Sequence, residues 1–190
     1  TVLLACVTAN IIAAGAARAD DARARAIMEK VDAVDDGDNR VSDMEMILID
    51  RHGNQRARKI RSFTKDKGED GQSLMFFLEP ADVKDTGFLT YDYDDADKDD
   101  DQWLYLPALR KSKRIASSDK SGSFMGSDLN YSDMTSRDLD DYDYTLKQEM
   151  EVRGKKVWVI ESVPREKKTI EETGYTKSVS YTHLRAHETK

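Results

Sequence analysis

The spacing of apolar residues changes once along the chain, from a helical period to a period of two. A stripe through Ile27, Val31 and Val34 has the 3.6-residue spacing of an amphipathic helix and predicts a helix over residues 21–34. Acidic residues suit its beginning, because carboxylates are favourable at a helix N-terminus. From Arg40 onwards, apolar and polar residues alternate as they do in half-buried strands.

The alternating part divides into about eight strands joined mostly by short turns, with hairpins predicted at residues 51–54 and 153–155. No strand–helix–strand rhythm is present, and an all-β sheet must hide its edges by closing or curling. The fold class predicted is therefore mainly β with one N-terminal helix, as a curled antiparallel sheet or incomplete barrel wrapped around that helix. The predicted strands are 40–49, 56–64, 73–78, 87–93, 103–106, 110–116, 141–152 and 156–163, a short helix lies near 131–135, and a last strand begins at 175–177.

The stretch over residues 102–134 combines an aromatic strand, a break at Pro107 and a Ser/Gly/Asp-rich loop that holds Phe124 and Met125. Two bulky apolar residues in such a loop must dock on the protein's own core or on an apolar ligand. Methionine suits a surface that repacks around varied apolar groups, although plain core filling explains it equally well. The residues expected to line a hydrophobic cavity between sheet and helix are Met44, Met46, Leu48, Met75, Phe77, Leu89, Tyr91, Trp103, Tyr105, Leu109, Phe124, Met125 and Trp158.

The first nineteen residues are typical of a secretory signal peptide without its cationic start. An apolar run ends at Ala17-Arg18-Ala19, so cleavage is expected after Ala19. Cys6 loosely resembles a lipobox cysteine, but apolar sequence continues beyond it to Ala16. Cleavage after Ala19 leaves a mature protein without cysteine, whose core must stabilise it without disulfides.

The C-terminal segment 178–190 contains VSYTHLRAHET, which resembles the translation of a sequencing-library adapter. We therefore expect a signal peptide at 1–19, one domain at 20–177 that lacks its last strands, and a non-native tail at 178–190. His183 and His187 then lie in the non-native tail and are not metal ligands. Because His52 lies in a turn, no metal site is expected.

Composition restricts the function classes. The chain has a formal net charge of −7 and is 35% charged, which argues against a nucleic-acid partner and against adsorption to anionic headgroups. The basic strand Arg110, Lys111, Lys113 and Arg114 is either a docking patch or an outward-facing set of charges offset by aspartates.

Candidate catalytic and metal motifs are weak. The spacing Asp97-x-Asp99-x-Asp101 opens like a calcium loop, but Gln102 replaces the required glycine and Ala108 the bidentate glutamate. The sequence lacks a G-x-S-x-G elbow, a glycine-rich phosphate loop and a credible histidine base. We expect neither enzyme activity nor a cofactor.

Four blocks together resemble the outer membrane lipoprotein-sorting proteins of the LolA-like superfamily, in the branch encoded beside RND-type exporters. They are MEMILIDRHGNQRARKIR, FLEPADVKDTGFL, QWLYLPALRKSKRI and GSFMGSDLNYSDM, in order along residues 28–177. The resemblance implies a periplasmic protein with an incomplete barrel and a helical lid over a hydrophobic cavity that carries lipoprotein acyl chains toward the outer membrane. It also implies lipid or lipoprotein acyl chains as partners, with an RND-type transporter or an outer-membrane acceptor.

Two functions stay open at this point. In the first, the protein carries acyl chains behind a mobile lid, which is either the loop 119–128 with Phe124 and Met125 or the N-terminal helix. In the second, the protein is a sensor or accessory protein of a membrane transporter, Phe124 and Met125 fill a closed core, and the basic strand docks a partner.

Overall fold

The computed structural model describes residues 20–34, 37–95 and 98–183. Cys6, the signal peptide, Asp97 and His187 lie outside these ranges. The described helices are α1 (Ala22–Asp32) and α2 (Lys167–Thr173). The described strands are β1 (Asn39–Ile49), β2 (Gln55–Lys67), β3 (Asp70–Glu79), β4 (Gly87–Asp92), β5 (Asp101–Leu106), β6 (Lys111–Ile115), β7 (Tyr142–Val152), β8 (Lys155–Pro164) and β9 (Ser178–Thr182).

These strands form two antiparallel sheets, a six-stranded meander in the order β1 to β6 and a three-stranded sheet in the order β7 to β9. The alternating pattern predicted each of the first eight strands to within about three residues, and both hairpins are confirmed. Helix α2 was not predicted. The last strand begins at Ser178, beyond the predicted 175–177, and pairs along β8.

Strand register gives the six-stranded sheet two apolar faces. On one face Ile60 lies opposite Phe77, and two strands further on Phe88 lies opposite Leu104. This face, here called the inner face, carries the main core. The opposite face, here called the outer face, carries Phe63 and neighbouring aromatic residues and stays open to solvent along much of its surface. The buried residues of the main core are Ile60, Phe77, Val83, Phe88, Leu104, Ile115 and Phe124.

Helix α1 packs on the three-stranded sheet, where Ala24 and Ile27 contact Tyr142, Tyr144 and Ile160. The carboxylate of Asp21 caps the helix by accepting hydrogen bonds from the backbone N–H groups of Arg23 and Ala24, at 2.9 and 3.3 Å. The guanidinium of Arg25 donates to the carbonyl of Tyr142 at 2.9 Å and joins the helix to β7.

Two sheets thus replace the single curled sheet expected around the helix. The chain between β6 and β7 runs as short 3₁₀ turns that form no ladder, so β7 does not continue the meander. The prediction placed α1 against the apolar inner face. In the structure that irregular segment covers the inner face instead.

Candidate functional site

The inner face is covered by residues 117–134, here called the plug. It contains the 3₁₀ turns Ser117–Asp119, Phe124–Gly126 and Tyr131–Met134. Phe124 is fully buried, with its ring centroid 5.0 Å from that of Phe88 and 6.2 Å from that of Phe77. In this structure the apolar tip of the loop therefore docks on the protein's own core.

The plug holds one residue in a strained backbone conformation. Met125 has φ 52° and ψ 29°, in the left-handed region, and Gly126 follows with φ 74°. A side chain in that region costs roughly 1–2 kcal/mol. Full burial of the neighbouring Phe124 contributes about 1.5–3 kcal/mol, enough to offset the strain while the plug is in place.

Three polar side chains of the meander hold the plug down. Gln102 is fully buried on β5, and its Nε2 donates to the carbonyl of Tyr131 at 2.8 Å. Arg58 on β2 donates from Nη1 to the carbonyl of Met125 at 2.6 Å. Asp92 at the end of β4 accepts from the backbone N–H and the hydroxyl of Ser136, at 2.8 and 2.9 Å, just past the plug.

The carboxyl of Asp92 is in an unfavourable environment for its charge. Burial raises the pKa of Asp92, the neighbouring Asp100 raises it further, and the two hydrogen bonds from Ser136 act in the opposite direction. Asp100 lies 3.7 Å from the buried ammonium of Lys120 in the plug. A partly buried group of charges therefore holds both ends of the plug, with Asp100 bound to Lys120 near its start and Asp92 bound to Ser136 just past its end.

The other side of the plug is attached around α2. The side chain of Asn130 accepts a hydrogen bond from the backbone N–H of Asp133, and the carboxylate of Asp133 accepts one from the backbone N–H of Asn130. This capping box fixes the last turn of the plug. Asn130 also donates to the carbonyl of Thr173 at 2.6 Å, and Tyr175 donates its hydroxyl to Asp133 at 2.8 Å. Burial, together with the bond to Asp133, raises the pKa of Tyr175.

Neither of two cavities in the described part of the chain suits a long acyl chain as it stands. One of about 230 Å³, mostly apolar, lies between α1 and the three-stranded sheet beside Met28, Val31 and Tyr144, and it is smaller than the roughly 300–1,000 Å³ of ordinary ligand pockets. Burial beside it raises the pKa of Tyr144 to about 12. The other, about 650 Å³, is lined mainly by polar and acidic residues such as Asp92 and Asp138.

The residues predicted to line one cavity are distributed over both sheets. Those on the inner face or in the plug are Met44, Met46, Leu48, Met75, Phe77, Phe124 and Met125. Those on the outer face are Leu89, Tyr91, Trp103 and Tyr105. Leu109 is exposed in the turn after β5, and Trp158 packs in the cluster under α1.

The sequence reasoning missed Arg58, Asp92 and Gln102, the polar residues that hold the plug. One signal was available for Gln102, because it shares its phase along β5 with the inward-facing Leu104 and Leu106. A polar residue in an apolar phase of a strand indicates a buried partner.

The outer face carries an aromatic surface. Phe63 and Phe76 meet edge to face with 6.3 Å between ring centroids, and Tyr91 meets Trp103 in the same way at 5.6 Å. Phe63 and Phe76 are 40% and 37% exposed, so these rings contact solvent as well as each other.

Two of the four residues of the basic strand, Lys113 and Arg114, have acidic partners. Arg114 pairs with Asp101, and the Nζ of Lys113 lies 3.8 Å from Asp119. Asp99, two residues before β5, accepts a hydrogen bond from the hydroxyl of Ser117 at 2.9 Å. These aspartates are thus joined to side chains of β6 and of the plug.

Two further properties concern the described ranges only. None of their helices has the length and apolar character needed to cross a bilayer. Nor do they bring together three or more His, Cys, Asp or Glu side chains in an arrangement that could hold a metal ion.

Solved structures share this architecture. A LolA superfamily protein from Nitrosomonas europaea matches with a TM-score of 0.56 at 17% identity, over 84% of this chain and 66% of its own. That likeness concerns the fold alone, which in the described residues consists of antiparallel sheets with helices and does not close into a barrel.

Two solved structures are more similar in sequence. An outer membrane lipoprotein-sorting protein domain from Vibrio parahaemolyticus is 34% identical with a TM-score of 0.73, and the match covers 85% of this chain and 66% of that one. A DUF1329 family protein from Desulfovibrio piger is 33% identical with a TM-score of 0.74, over 85% and 67%. The chain belongs to the family of these outer membrane lipoprotein-sorting and DUF1329 proteins, and it spans about two thirds of their length.

A family model described as "-like: Uncharacterized protein" matches residues 69–185. No protein in the curated set matches the chain.

Proposed function

We propose that the protein is a non-catalytic periplasmic carrier that binds the acyl chains of lipoproteins or other lipids on its inner face, for transfer toward the outer membrane. The observation that carries this proposal is the plug. A single irregular segment, with Phe124 at its tip, covers the apolar core of the six-stranded sheet. The family membership supports the same assignment.

Burial of an acyl chain outweighs the cost of withdrawing the plug. Withdrawing Phe124 costs about 1.5–3 kcal/mol of burial, and each carbonyl released from Arg58 or Gln102 costs about 1 kcal/mol more. An acyl chain gains about 0.8 kcal/mol for each methylene it buries. Eight to ten buried methylenes, contributing roughly 6–8 kcal/mol, are therefore sufficient to replace the plug.

The plug also explains why neither of these two cavities lies on the apolar inner face. In a carrier of this kind the apolar surface is closed while empty, because an exposed apolar patch of several hundred Å² favours association with other proteins. The strain at Met125 is released when the plug withdraws, which lowers the cost of opening.

Competition between plug and ligand makes the proposal testable. We expect Phe124→Ser to lower the melting temperature and to raise the affinity for a fluorescent fatty acid, because the weakened plug competes less. Leu129→Ser changes an exposed residue of the same loop and is the matched control. Native mass spectrometry of protein purified from the periplasm is expected to show bound lipid.

The proposal fails if purified protein carries no lipid and binds no fluorescent fatty acid. It also fails if Phe124→Ser loses stability without any change in binding, because Phe124 then only fills the core.

A second function is favoured by the full burial of Phe124 and by the closed core. In this alternative the protein is a sensor or accessory component of a membrane transporter, such as an RND-type exporter, and the same fold binds a protein partner. The Phe124→Ser experiment separates the two functions, since only the carrier binds the probe.

A further inference from the structure

A buried arginine faces the inner side of the sheet without a counter-charge. Arg58 is 8% exposed. Two other basic residues of β2, Lys59 and Arg61, point to the outer face, and each has a carboxylate partner. The Nζ of Lys59 lies 2.9 Å from a carboxylate oxygen of Glu79, and the Nε of Arg61 lies 2.7 Å from one of Asp43. Among the described residues, no carboxylate lies within 4.0 Å of Arg58.

The charge of Arg58 cannot be removed by losing a proton, because an arginine stays protonated in proteins. Burial of a charge is costly unless an opposite charge or several hydrogen bonds compensate it. The structure gives the guanidinium one hydrogen bond, from Nη1 to the neutral carbonyl of Met125 at 2.6 Å. Four of its five N–H donors are left for another acceptor.

Those donors are not completely sealed from solvent. Within the described ranges, three polar side-chain atoms are buried from solvent and have no hydrogen-bond partner: Thr90 Oγ1, Gln102 Oε1 and Trp158 Nε1. No nitrogen of Arg58 is among them. The nitrogens of the guanidinium fork that lack a hydrogen bond therefore keep some contact with solvent.

The surroundings of Arg58 are apolar. Met46 lies opposite it on β1, and Met44 and Leu48 flank Met46 on the same face of that edge strand. Methionine side chains adapt to different apolar shapes. A cationic fork beside an adaptable apolar strip matches a molecule with one anionic end and one long apolar chain, and a planar guanidinium suits carboxylate and phosphate groups in particular.

We propose that Arg58 binds the anionic end of the cargo, a carboxylate or a phosphate, while the acyl chain lies along the inner face. This inference rests on the proposed carrier function and narrows its substrate class to anionic lipids. The anion binds the donors that the Met125 carbonyl leaves free, and the negative charge supplies the missing counter-charge.

The test measures displacement of a neutral fluorescent apolar probe by three ligands with the same chain length, below their micelle concentrations. They are hexadecanoate, 1-palmitoyl lysophosphatidate and the uncharged hexadecan-1-ol. Because a hydrogen bond to a charged group contributes about 1.5–3 kcal/mol, we expect the anions to bind about tenfold or more tightly than the alcohol. The better of the two anions identifies the source as a free fatty acid or a phosphate headgroup.

Variants assign the preference to Arg58. Arg58→Gln is expected to lower the affinity for the anions about tenfold relative to the affinity for the alcohol, whereas Arg58→Lys keeps part of the preference. Arg56→Gln is the matched control, because Arg56 is an exposed arginine two residues away on the same face. Circular dichroism checks that each variant is folded.

Three outcomes overturn the inference. If the wild-type protein binds the alcohol and the anions with equal affinity, the inference about Arg58 is wrong, but the proposed binding of acyl chains stands. An equal change in affinity for all three ligands in Arg58→Gln shows that Arg58 acts only by holding the plug. Binding of none of the ligands, with no displacement of the probe, overturns the carrier function as well.

Discussion

The ring of Phe124 stands edge to face against the ring of Phe88, with 5.0 Å between centroids and 65° between their planes. One residue belongs to an irregular loop and the other to the centre of a sheet, and both are fully buried. The stability of the sheet and the position of the loop are therefore linked through this pair.

A double-mutant cycle measures that link. Edge-to-face aromatic pairs contribute about 0.5–1.5 kcal/mol beyond the area they bury. We expect Phe124→Ala and Phe88→Ala each to lower the free energy of unfolding by about 3–5 kcal/mol. The double variant should lose less than the sum, by at least about 0.5 kcal/mol, in urea denaturation.

Phe63 provides the control cycle, because it lies on the outer face. Losses in Phe124→Ala and Phe63→Ala should add to within about 0.5 kcal/mol. Additivity in the Phe124–Phe88 cycle as well would contradict a direct coupling of plug and sheet.

The Asp92 carboxyl gives a pH-dependent prediction. Its pKa is raised in the folded protein, chiefly by burial and then by Asp100. Protonated Asp92 therefore contributes stability that is fully present below its unfolded pKa of about 3.9 and is lost as the pH rises through the folded value. We expect Asp92→Asn to be stabilised relative to wild type at pH 7, and this difference to shrink toward pH 4.

Chemical denaturation between pH 4 and pH 8 checks this, with Asp128→Asn, an exposed position in the plug, as the control. A variant that is less stable than wild type at pH 7 would show that the bonds from Ser136 outweigh the burial of the charge.

Thr90 carries a sealed hydroxyl without a hydrogen-bond partner, at full burial on the inner face. Valine has the same shape and no hydroxyl. Because an unsatisfied buried polar group costs about 1–3 kcal/mol, we expect Thr90→Val to raise the free energy of unfolding by about 1 kcal/mol. Thr90→Ser, which keeps the hydroxyl and removes a methyl group, should instead lower it by about 1 kcal/mol.

Thermal unfolding of the two variants in parallel gives the sign directly. Destabilisation by Thr90→Val would indicate that a bound water satisfies the hydroxyl.

The β7–β8 hairpin offers a stabilising substitution on the surface. Arg153 and Gly154 both have positive φ, at 51° and 74°, so this two-residue turn is of the type that prefers Asn-Gly. We expect Arg153→Asn to add about 0.5–1 kcal/mol of stability, because asparagine tolerates the left-handed region better than arginine. A shift of about 1–4 °C in melting temperature would be observed, and Lys155→Asn, beyond the turn, should give none.

The strands were predictable because their signal is local. Alternation in Met44–Ile49 and the apolar run 73–78 follow from the period of a strand, and a two-residue turn with Gly154 defines the hairpin. The division into two sheets was not predictable, because it depends on whether β7 pairs with β6, a contact across the whole plug.

The site was only partly predictable for a related reason. Trp103 and Leu104 are both apolar, so the pattern does not tell which of them faces the core. Phe124 was identified as an apolar residue in a polar loop, but its contact with Phe88 depends on tertiary packing. Arg58 resembles any other basic residue of β2 until the register places it on the inner face.

Strand β1 has a practical consequence for handling the protein. It is an eleven-residue edge strand, paired with β2 on one side and with no strand on the other side in the described part of the chain. It has exposed apolar side chains on both faces, among them Val41, Met44 and Ile47. Such a strand can add to the same strand of another molecule and start aggregation. The charges of Asp43 and Glu45 oppose that stacking, so solubility at high protein concentration should fall sharply when both are replaced by threonine.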